Sequence, residues 1–87
     1  MDNGYKESQR ILAENIKRLR SEIGLSQEGL ALAAEVDRTY VSQIERGICN
    51  PSLLILCRLS DVLSTEPAKL LSSSVFKGRT TRSAKSI

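Results

Sequence analysis

Hydrophobic residues in the first third of the chain recur with the spacing of a helix. Four of them are separated by four, three and four positions and so share one helical face: Leu12, Ile16, Leu19 and Ile23. Gly24 follows, in the position where a helix often ends with a left-handed residue. This pattern predicts a first helix over about residues 7–23, preceded by a flexible polar arm over residues 1–6.

Two short helices, joined by a brief link, are predicted next. Ser26 is a favourable N-cap for a helix over about residues 27–34, which is rich in alanine. Asp37 is a second N-cap candidate, and it precedes a helix over about residues 38–46 that ends at Gly47. Because the alanine side chains are short, a neighbouring helix can cross the second helix closely.

A fourth helix, over about residues 52–63, has two apolar stripes. One stripe contains Leu53, Leu56, Cys57 and Leu63, and the other contains Ile55, Leu59 and Val62. A helix that is apolar on two faces is expected to be buried on both. A short fifth helix over about residues 66–72, opened by Pro67, completes an all-α pattern of five helices without a strand.

The apolar residues of the C-terminal half exceed what one small domain can cover. The chain has 87 residues, which suits a single domain with a marginal core, and Leu70 is assigned to that core. A second copy of the chain is expected to cover the rest, because a two-fold patch is self-complementary and closes at two chains. The predicted dimer interface consists of Ile55, Leu59, Val62, Leu71, Val75 and Phe76.

Composition narrows the possible chemistry. The chain has no His, which excludes nucleophile–His catalysis, and Cys49 and Cys57 with carboxylates make a poor set of zinc ligands. The longest apolar run, residues 53–57, is too short to span a membrane. We therefore expect no enzyme activity, no cofactor, no metal, no small-molecule ligand and no membrane contact. Two cysteines without a signal peptide indicate reduced thiols in the cytoplasm, with Cys57 packed as a small hydrophobe.

The net charge of +3 comes from the C-terminal end. Residues 77–87 carry four basic residues and no acid, and they are predicted to form a disordered basic tail. The rest of the chain carries one more acid than base, so net charge alone does not argue that the folded domain, residues 7–76, binds DNA. The tail is either a solubilising end or a source of non-specific attraction to DNA.

The third predicted helix has the chemistry of a DNA reader. Val41 and Ile44 share an inward face, which leaves four polar residues exposed: Arg38, Thr39, Ser42 and Gln43. Arg can form two hydrogen bonds to guanine and Gln two to adenine, and a helix of this kind fits the major groove. Two short helices with such a second member predict a helix-turn-helix that binds double-stranded DNA.

Three motifs in order carry a family resemblance. They are Ser-Gln-Glu-Gly-Leu-Ala at residues 26–31, Val-Asp-Arg-Thr-Tyr-Val-Ser-Gln-Ile-Glu-Arg-Gly at residues 36–47, and Asn-Pro-Ser-Leu at residues 50–53. Over about residues 8–72 the chain resembles the XRE family of regulators, relatives of the temperate-phage Cro and cI repressors. Residues 37–42 are especially similar to the controller proteins of restriction–modification systems. The resemblance implies a five-helix, lambda-repressor-like domain in a bacterial or phage-encoded, cytoplasmic and nucleoid-associated protein.

The same resemblance implies roles for individual residues. Gln27 would bond a phosphate and brace the recognition helix, and Asn50 would contact the DNA backbone. The implied base readers are Arg38, Thr39 and Gln43, and the residues that reach phosphates or a nearby base edge are Tyr40 and Ser42. Glu45 resembles the acid that pairs with an arginine of the first helix, here Arg20. Two positions depart from the family pattern, Gly29 and Cys49.

Some alternatives stay open on the residues alone. Lys17 and Arg18 are either a solvated helix face or phosphate contacts, and Tyr40 is either surface cover or a DNA contact. The leading expectation is a sequence-specific transcriptional regulator that binds a two-fold symmetric operator as a homodimer. The alternative is a protein-interaction module on the same fold, such as an antitoxin or a bridging factor.

Overall fold

The computed structural model describes the backbone of residues 2–73 and the side chains of residues 4–73. Within that range the chain forms five α-helices and no strand, so the predicted all-α, five-helix class is confirmed. The helices are α1 Asp2–Glu22, α2 Gln27–Ala34, α3 Arg38–Glu45, α4 Leu53–Val62 and α5 Pro67–Leu70. No helix among residues 2–73 is long and apolar enough to cross a membrane.

The first helix begins earlier than the hydrophobic pattern predicted. It includes residues 2–6, which corrects the expectation of a flexible arm over residues 1–6. Polar pairs run along the exposed side of the helix directly after these turns: Arg10 bonds Glu7 at 2.6 Å and Glu14 at 2.8 Å. Such pairs, three and four positions apart, stabilise a helix without contributing to apolar periodicity. The pattern of hydrophobic residues therefore carried no signal for the first turns of α1.

The predicted N-caps hold the starts of the two central helices. Ser26 Oγ accepts a hydrogen bond from the Gly29 amide at 2.9 Å, and Asp37 Oδ1 accepts one from the Thr39 amide at 2.9 Å. The close packing at this cap also accounts for glycine at position 29. A Cβ there would lie 3.3 Å from both Ser26 Oγ and Leu25 Cδ2. Glu35, with φ of 61°, ends α2 in the left-handed conformation and turns the chain towards α3.

One hydrophobic core joins all five helices. Its six largest fully buried side chains are Ile16, Leu30, Ile44, Leu59, Leu70 and Val41. The assignment of Leu59 to a dimer surface was therefore wrong, since its side chain is 0% exposed within one chain. Cys57, expected inside, is exposed on α4, while Ile55 and Val62 are half-buried against the core.

The remaining C-terminal predictions concern residues that the structure does not describe. Val75, Phe76 and the basic tail over residues 77–87 lie outside the described residues. Close to the end of the described range, the chain after α5 is contacted by Asn15 of α1, which is 2% exposed. Its amide nitrogen lies 2.9 Å from Leu70 O and 2.8 Å from Ser72 O, so it fixes the backbone at the end of α5.

Candidate nucleic-acid interface

The polar face of α3 is turned outward, as the amphipathic pattern predicted. Val41 and Ile44 are 0% and 1% exposed and anchor the helix in the core. The other side of the helix presents two exposed residues, Arg38 and Thr39, and two half-buried ones, Ser42 and Gln43. These four side chains offer guanidinium, hydroxyl and amide groups in a row. That set of donors and acceptors matches the edges of base pairs in a major groove.

The predicted ion pair between Arg20 and Glu45 is present and ties α3 to α1. Arg20 Nε lies 2.6 Å from Glu45 Oε2, and Arg20 Nη2 lies 2.9 Å from Glu45 Oε1. Arg20 Nη1 also donates to the carbonyl of Leu25 at 2.9 Å, in the loop between α1 and α2. Through one guanidinium, the end of α1, the following loop and the recognition helix are held together.

The electrostatics of this pair favour its charged form. Burial alone raises the pKa of the Glu45 carboxyl, but hydrogen bonds from Arg20 and Gln27, together with the positive charges of Arg20 and Lys17, outweigh burial and hold that pKa below its ordinary value. The hydrogen bond from Glu45 correspondingly raises the pKa of Arg20. Glu45 therefore stays ionised in the folded protein near neutral pH, and its negative charge is already matched within the domain.

Gln27 is the first residue of α2, and its side chain reaches the end of α3. Its Nε2 donates to Glu45 Oε1 at 3.0 Å, so the bracing part of its implied role is visible in the structure. With Arg38 it lines an open recess of about 380 Å³ at the start of α2, which we call the Gln27 recess; the carboxylate of Glu28 and the paired Arg20 also line it. Amide groups at the start of a helix and the Arg38 guanidinium favour an anion here, while the Glu28 carboxylate opposes one.

Tyr40 links the recognition helix to the loop before α4. Its hydroxyl oxygen accepts a hydrogen bond from the Ser52 amide at 3.3 Å, and Asn50 in the same loop is exposed. Cys49 in the same loop is half-buried, and this burial raises the pKa of its thiol, with a smaller lowering effect from Tyr40. The loop with Asn50 is thus held beside the reading face of α3.

Two features outside the reading face of α3 were missed by the sequence analysis. Asn15 had a signal, because it lies at the edge of the apolar face of α1 between Leu12 and Ile16, where an amide needs buried partners. The exposed face of α4 had no clear signal, since leucines fill both sides of that helix. Leu53 is 71% exposed and Leu54 is 59% exposed, and Leu71 after α5 is 44% exposed.

Comparison with known proteins gives a consistent group of relatives. Residues 16–70 match the family model HTH_3, described as helix-turn-helix. The chain is 37% identical over 73 residues to the control protein C.SmaI of Serratia marcescens. That alignment covers 84% of this chain and 87% of the relative.

Two solved structures extend this comparison to three dimensions. The restriction-modification controller protein C.AhdI from Aeromonas hydrophila aligns with a TM-score of 0.68 and 39% identity, covering 71% of this chain and 94% of that one. The N-terminal DNA-binding domain of SinR from Bacillus subtilis aligns with a TM-score of 0.71 and 36% identity, covering 75% of this chain and 96% of that one.

Proposed function

Since the chain belongs to the HTH_3 helix-turn-helix family and is a DNA-binding transcriptional regulator, we propose that it acts as a homodimer on a two-fold symmetric operator. The observation that carries the proposal is the outward polar face of α3, held in one orientation by the buried Arg20–Glu45 pair. A braced helix with a polar outer face can enter the major groove without rearrangement.

Base reading is assigned to the side chains at the start and middle of α3. Arg38 is exposed at the first position of the helix, where base edges are closest, and it suits a guanine through two hydrogen bonds. Gln43 suits an adenine, and the methyl group of Thr39 suits a thymine methyl. The three residues therefore define the sequence preference of one half-site.

Backbone contacts position this reading face. Gln27 uses one amide proton for Glu45, which leaves its second N–H for a phosphate at the Gln27 recess. Tyr40, Ser42 and Asn50 lie on or beside the reading face and are assigned to the phosphates that border the half-site. Such contacts set register and orientation, while affinity through them falls with salt.

The dimer surface is assigned to the apolar side chains of α4 and the end of α5. It keeps Ile55, Val62, Leu71, Val75 and Phe76 from the sequence prediction and gains the exposed leucines Leu53 and Leu54. A two-fold pairing there would set two recognition helices about 34 Å apart, one turn of DNA. Each dimer would then read two half-sites about 10 base pairs apart, centre to centre.

The similarity to restriction–modification control proteins favours the same role for this chain. In that role the protein binds DNA in the cytoplasm, near the nucleoid, and its own concentration sets operator occupancy through dimerisation. A neighbouring restriction endonuclease gene in the genome is the expected finding. A position inside a prophage or plasmid maintenance region would favour a repressor of another kind.

The test combines selection of DNA with a measurement of oligomeric state. Selection from random duplexes by the full chain should enrich an inverted repeat, and sedimentation at micromolar concentration should give a dimer. Leu54→Asp should yield a folded monomer with weak operator binding, whereas Leu32→Asp, at a 74% exposed position of α2, should remain a dimer.

Three outcomes contradict parts of the proposal. Selection of a single half-site without an inverted repeat, or a wild-type chain that sediments as a monomer, would contradict the proposed homodimer. If the selection enriches no sequence, the proposed sequence-specific DNA binding is contradicted. Stable capture of another protein by the face of α3, with no preference among DNAs, would instead support the protein-interaction alternative.

A further inference from the structure

A pocket of about 160 Å³ lies between the first half of α1, the loop that precedes α4 and the chain after α5, and we call it the Leu12 pocket. Leu12 and Leu56, which are 3% and 8% exposed, are its buried lining residues. Tyr5 and Leu71, which are about half exposed, also line it. An apolar cavity of about 150 Å³ can bind benzene, so the Leu12 pocket has room for one phenyl ring.

The polar groups around the Leu12 pocket do not favour a charged ligand. No charged residue is among the described residues that line it. Gln9 Nε2 lies 3.0 Å from the carbonyl oxygen of Cys49 and 3.2 Å from the hydroxyl oxygen of Tyr5. Because these two bonds use both amide protons of Gln9, the pocket is best matched by an apolar group.

The described chain ends close to this pocket. Asn15 of α1 donates to the carbonyl of Ser72 at 2.8 Å, which holds the chain after α5 against α1. Ser8, Leu12 and Asn15 are separated by four and three positions and share one face of α1, with Ser8 about 10 Å from Asn15 along the helix. The four residues from Ser72 to Phe76 can span up to about 14 Å when extended, so Phe76 can reach the pocket.

Phe76 is also the side chain of this segment that fits. It is the single phenylalanine of the chain, and it follows Leu71, a lining residue of the pocket, by five positions. The residues after it, 77–87, are mostly basic or small and polar until the terminal Ile87. Full burial of a phenyl side chain favours the buried state at least about ten-fold, which is enough to hold a short segment in place.

We propose that Phe76 docks in the Leu12 pocket of its own chain, with its ring against Tyr5 and Leu71. The inference goes beyond the proposed function and does not require DNA. Leu71 belongs both to the pocket and to the proposed dimer surface, so the docked ring borders that surface and Phe76 keeps its place in it. Asn50 also lines the pocket, so the ring supports the loop to which a phosphate contact is assigned.

The two cysteines of the chain provide the readout. Cys49 is half-buried and lines the Leu12 pocket, whereas Cys57 is exposed on α4. Modification by N-ethylmaleimide is followed at each cysteine by mass spectrometry in the full chain, for wild type, Phe76→Ala, Phe76→Leu and Ile87→Ala. Ile87→Ala is the matched control, because it removes an apolar side chain eleven positions further along the same stretch. Circular dichroism establishes that each variant is folded, and Phe76→Leu carries the test if Phe76→Ala does not fold.

Phe76→Ala should raise the rate of modification at Cys49 at least about ten-fold, because the ring no longer excludes the reagent. Phe76→Leu should give an intermediate rate, since a smaller apolar side chain leaves part of the pocket open. Cys57 should react equally in every variant, and Ile87→Ala should match wild type. Nuclear Overhauser contacts of wild type should join the Phe76 ring to the methyl groups of Leu12 and Leu56. In a mixture of labelled and unlabelled chains these contacts should be within one chain.

Three results overturn the inference. The first is a Cys49 rate in the Phe76 variants that equals that of wild type. The second is an equal rise in Ile87→Ala, which would make the effect one of the whole stretch. The third is a set of ring contacts found only between labelled and unlabelled chains, which would place Phe76 in the pocket of a second copy. Failure of the proposed function is distinguishable, because sedimentation and DNA selection report on it, while the Cys49 rate and the intrachain contacts can be measured without DNA in a monomer or a dimer.

Discussion

The two halves of this molecule are held in place by different kinds of contact. In the reading half, α1 to α3, orientation depends on polar groups: a buried ion pair joins Arg20 to Glu45, and Gln27 donates to the same carboxylate. In the pairing half, α4 and α5 are positioned by packed leucines, and among the described residues Asn15 supplies a buried polar tie to the end of α5.

This difference in contacts shows what fixes the orientation of a helix in a small domain. A buried carboxylate is stable only with its partners in place, so the ion pair allows one arrangement of α3. Leucines on α4 can be buried in several rotations of the helix at similar cost, so packing with α1, α2 and α5 decides which of them face solvent. The half that reads DNA is therefore the half with polar constraints.

Removal of the ion pair should give the largest effect. Glu45→Ala leaves Arg20 without its acid, with the Arg20 side chain only 17% exposed, and should lower the free energy of unfolding by about 3–5 kcal/mol. Urea unfolding followed by circular dichroism measures it. Glu22→Ala, which breaks the exposed pair with Arg18, is the control and should cost less than about 1 kcal/mol. Equal melting temperatures for Glu45→Ala and wild type would contradict a stabilising role for the Arg20–Glu45 pair.

Leu59 tests the correction made to the pairing half. Leu59→Ala should cost about 2–5 kcal/mol, because the side chain is fully buried and its loss leaves a cavity. The same change at exposed Leu32 should stay within about 0.5 kcal/mol. Thermal melting of both variants decides the point. A Leu59→Ala variant that is as stable as wild type but fails to dimerise would support the original assignment of Leu59 to the dimer interface.

The reading half was largely predictable from sequence, and the reasons are local. Ser26 and Asp37 are strong N-caps, so the start of α2 at Gln27 and of α3 at Arg38 followed from residue type. The inward spacing of Val41 and Ile44 then fixed which side of α3 is polar. The Arg20–Glu45 pair followed from family resemblance and not from spacing, because its partners are 25 residues apart.

The pairing half and the start of α1 could not be predicted correctly from the sequence, because their structure depends on contacts that local patterns do not reveal. Periodicity could not tell which apolar stripe of α4 lies inside, and Leu59 was placed outside although it is the most buried residue of that helix. The start of α1 at Asp2 lies well before the first residue of the apolar pattern, Leu12, so hydrophobic patterning does not detect it. Asn15 bonds carbonyls 55 and 57 positions away, a relation that no local rule contains.

Asn15 should have an intermediate effect that is specific to the pairing half. Asn15→Ala removes a buried amide that bonds Leu70 O and Ser72 O, and should cost about 1–3 kcal/mol of stability. Amide hydrogen exchange should rise first around α5 and only later in α3. Equal loss of protection in both halves would mean that the two are not held separately.

The smallest expected effect is a change in acid sensitivity of the reading half. The pKa of Glu45 is held below its unfolded value of about 4.3. Its stabilising contribution is therefore complete above about pH 4.3 and is lost as pH falls through the folded-state pKa. The stability difference between wild type and Glu45→Gln should shrink as pH is lowered from 6 towards 3. A difference that stays constant over that range would contradict the lowered pKa.

The central claim is that the exposed face of α3 reads bases, and Arg38 tests it most directly. Affinities of wild type, Arg38→Ala and Arg18→Ala are measured on the selected operator and on random duplex DNA at one salt concentration. Arg38→Ala should lose about 1–3 kcal/mol on the operator, little on random DNA, and its preference at one position of each half-site. Arg18→Ala, which removes an exposed charge of α1, should keep the full preference. Equal loss on both DNAs for Arg38→Ala would make Arg38 a phosphate contact and contradict base reading by this residue.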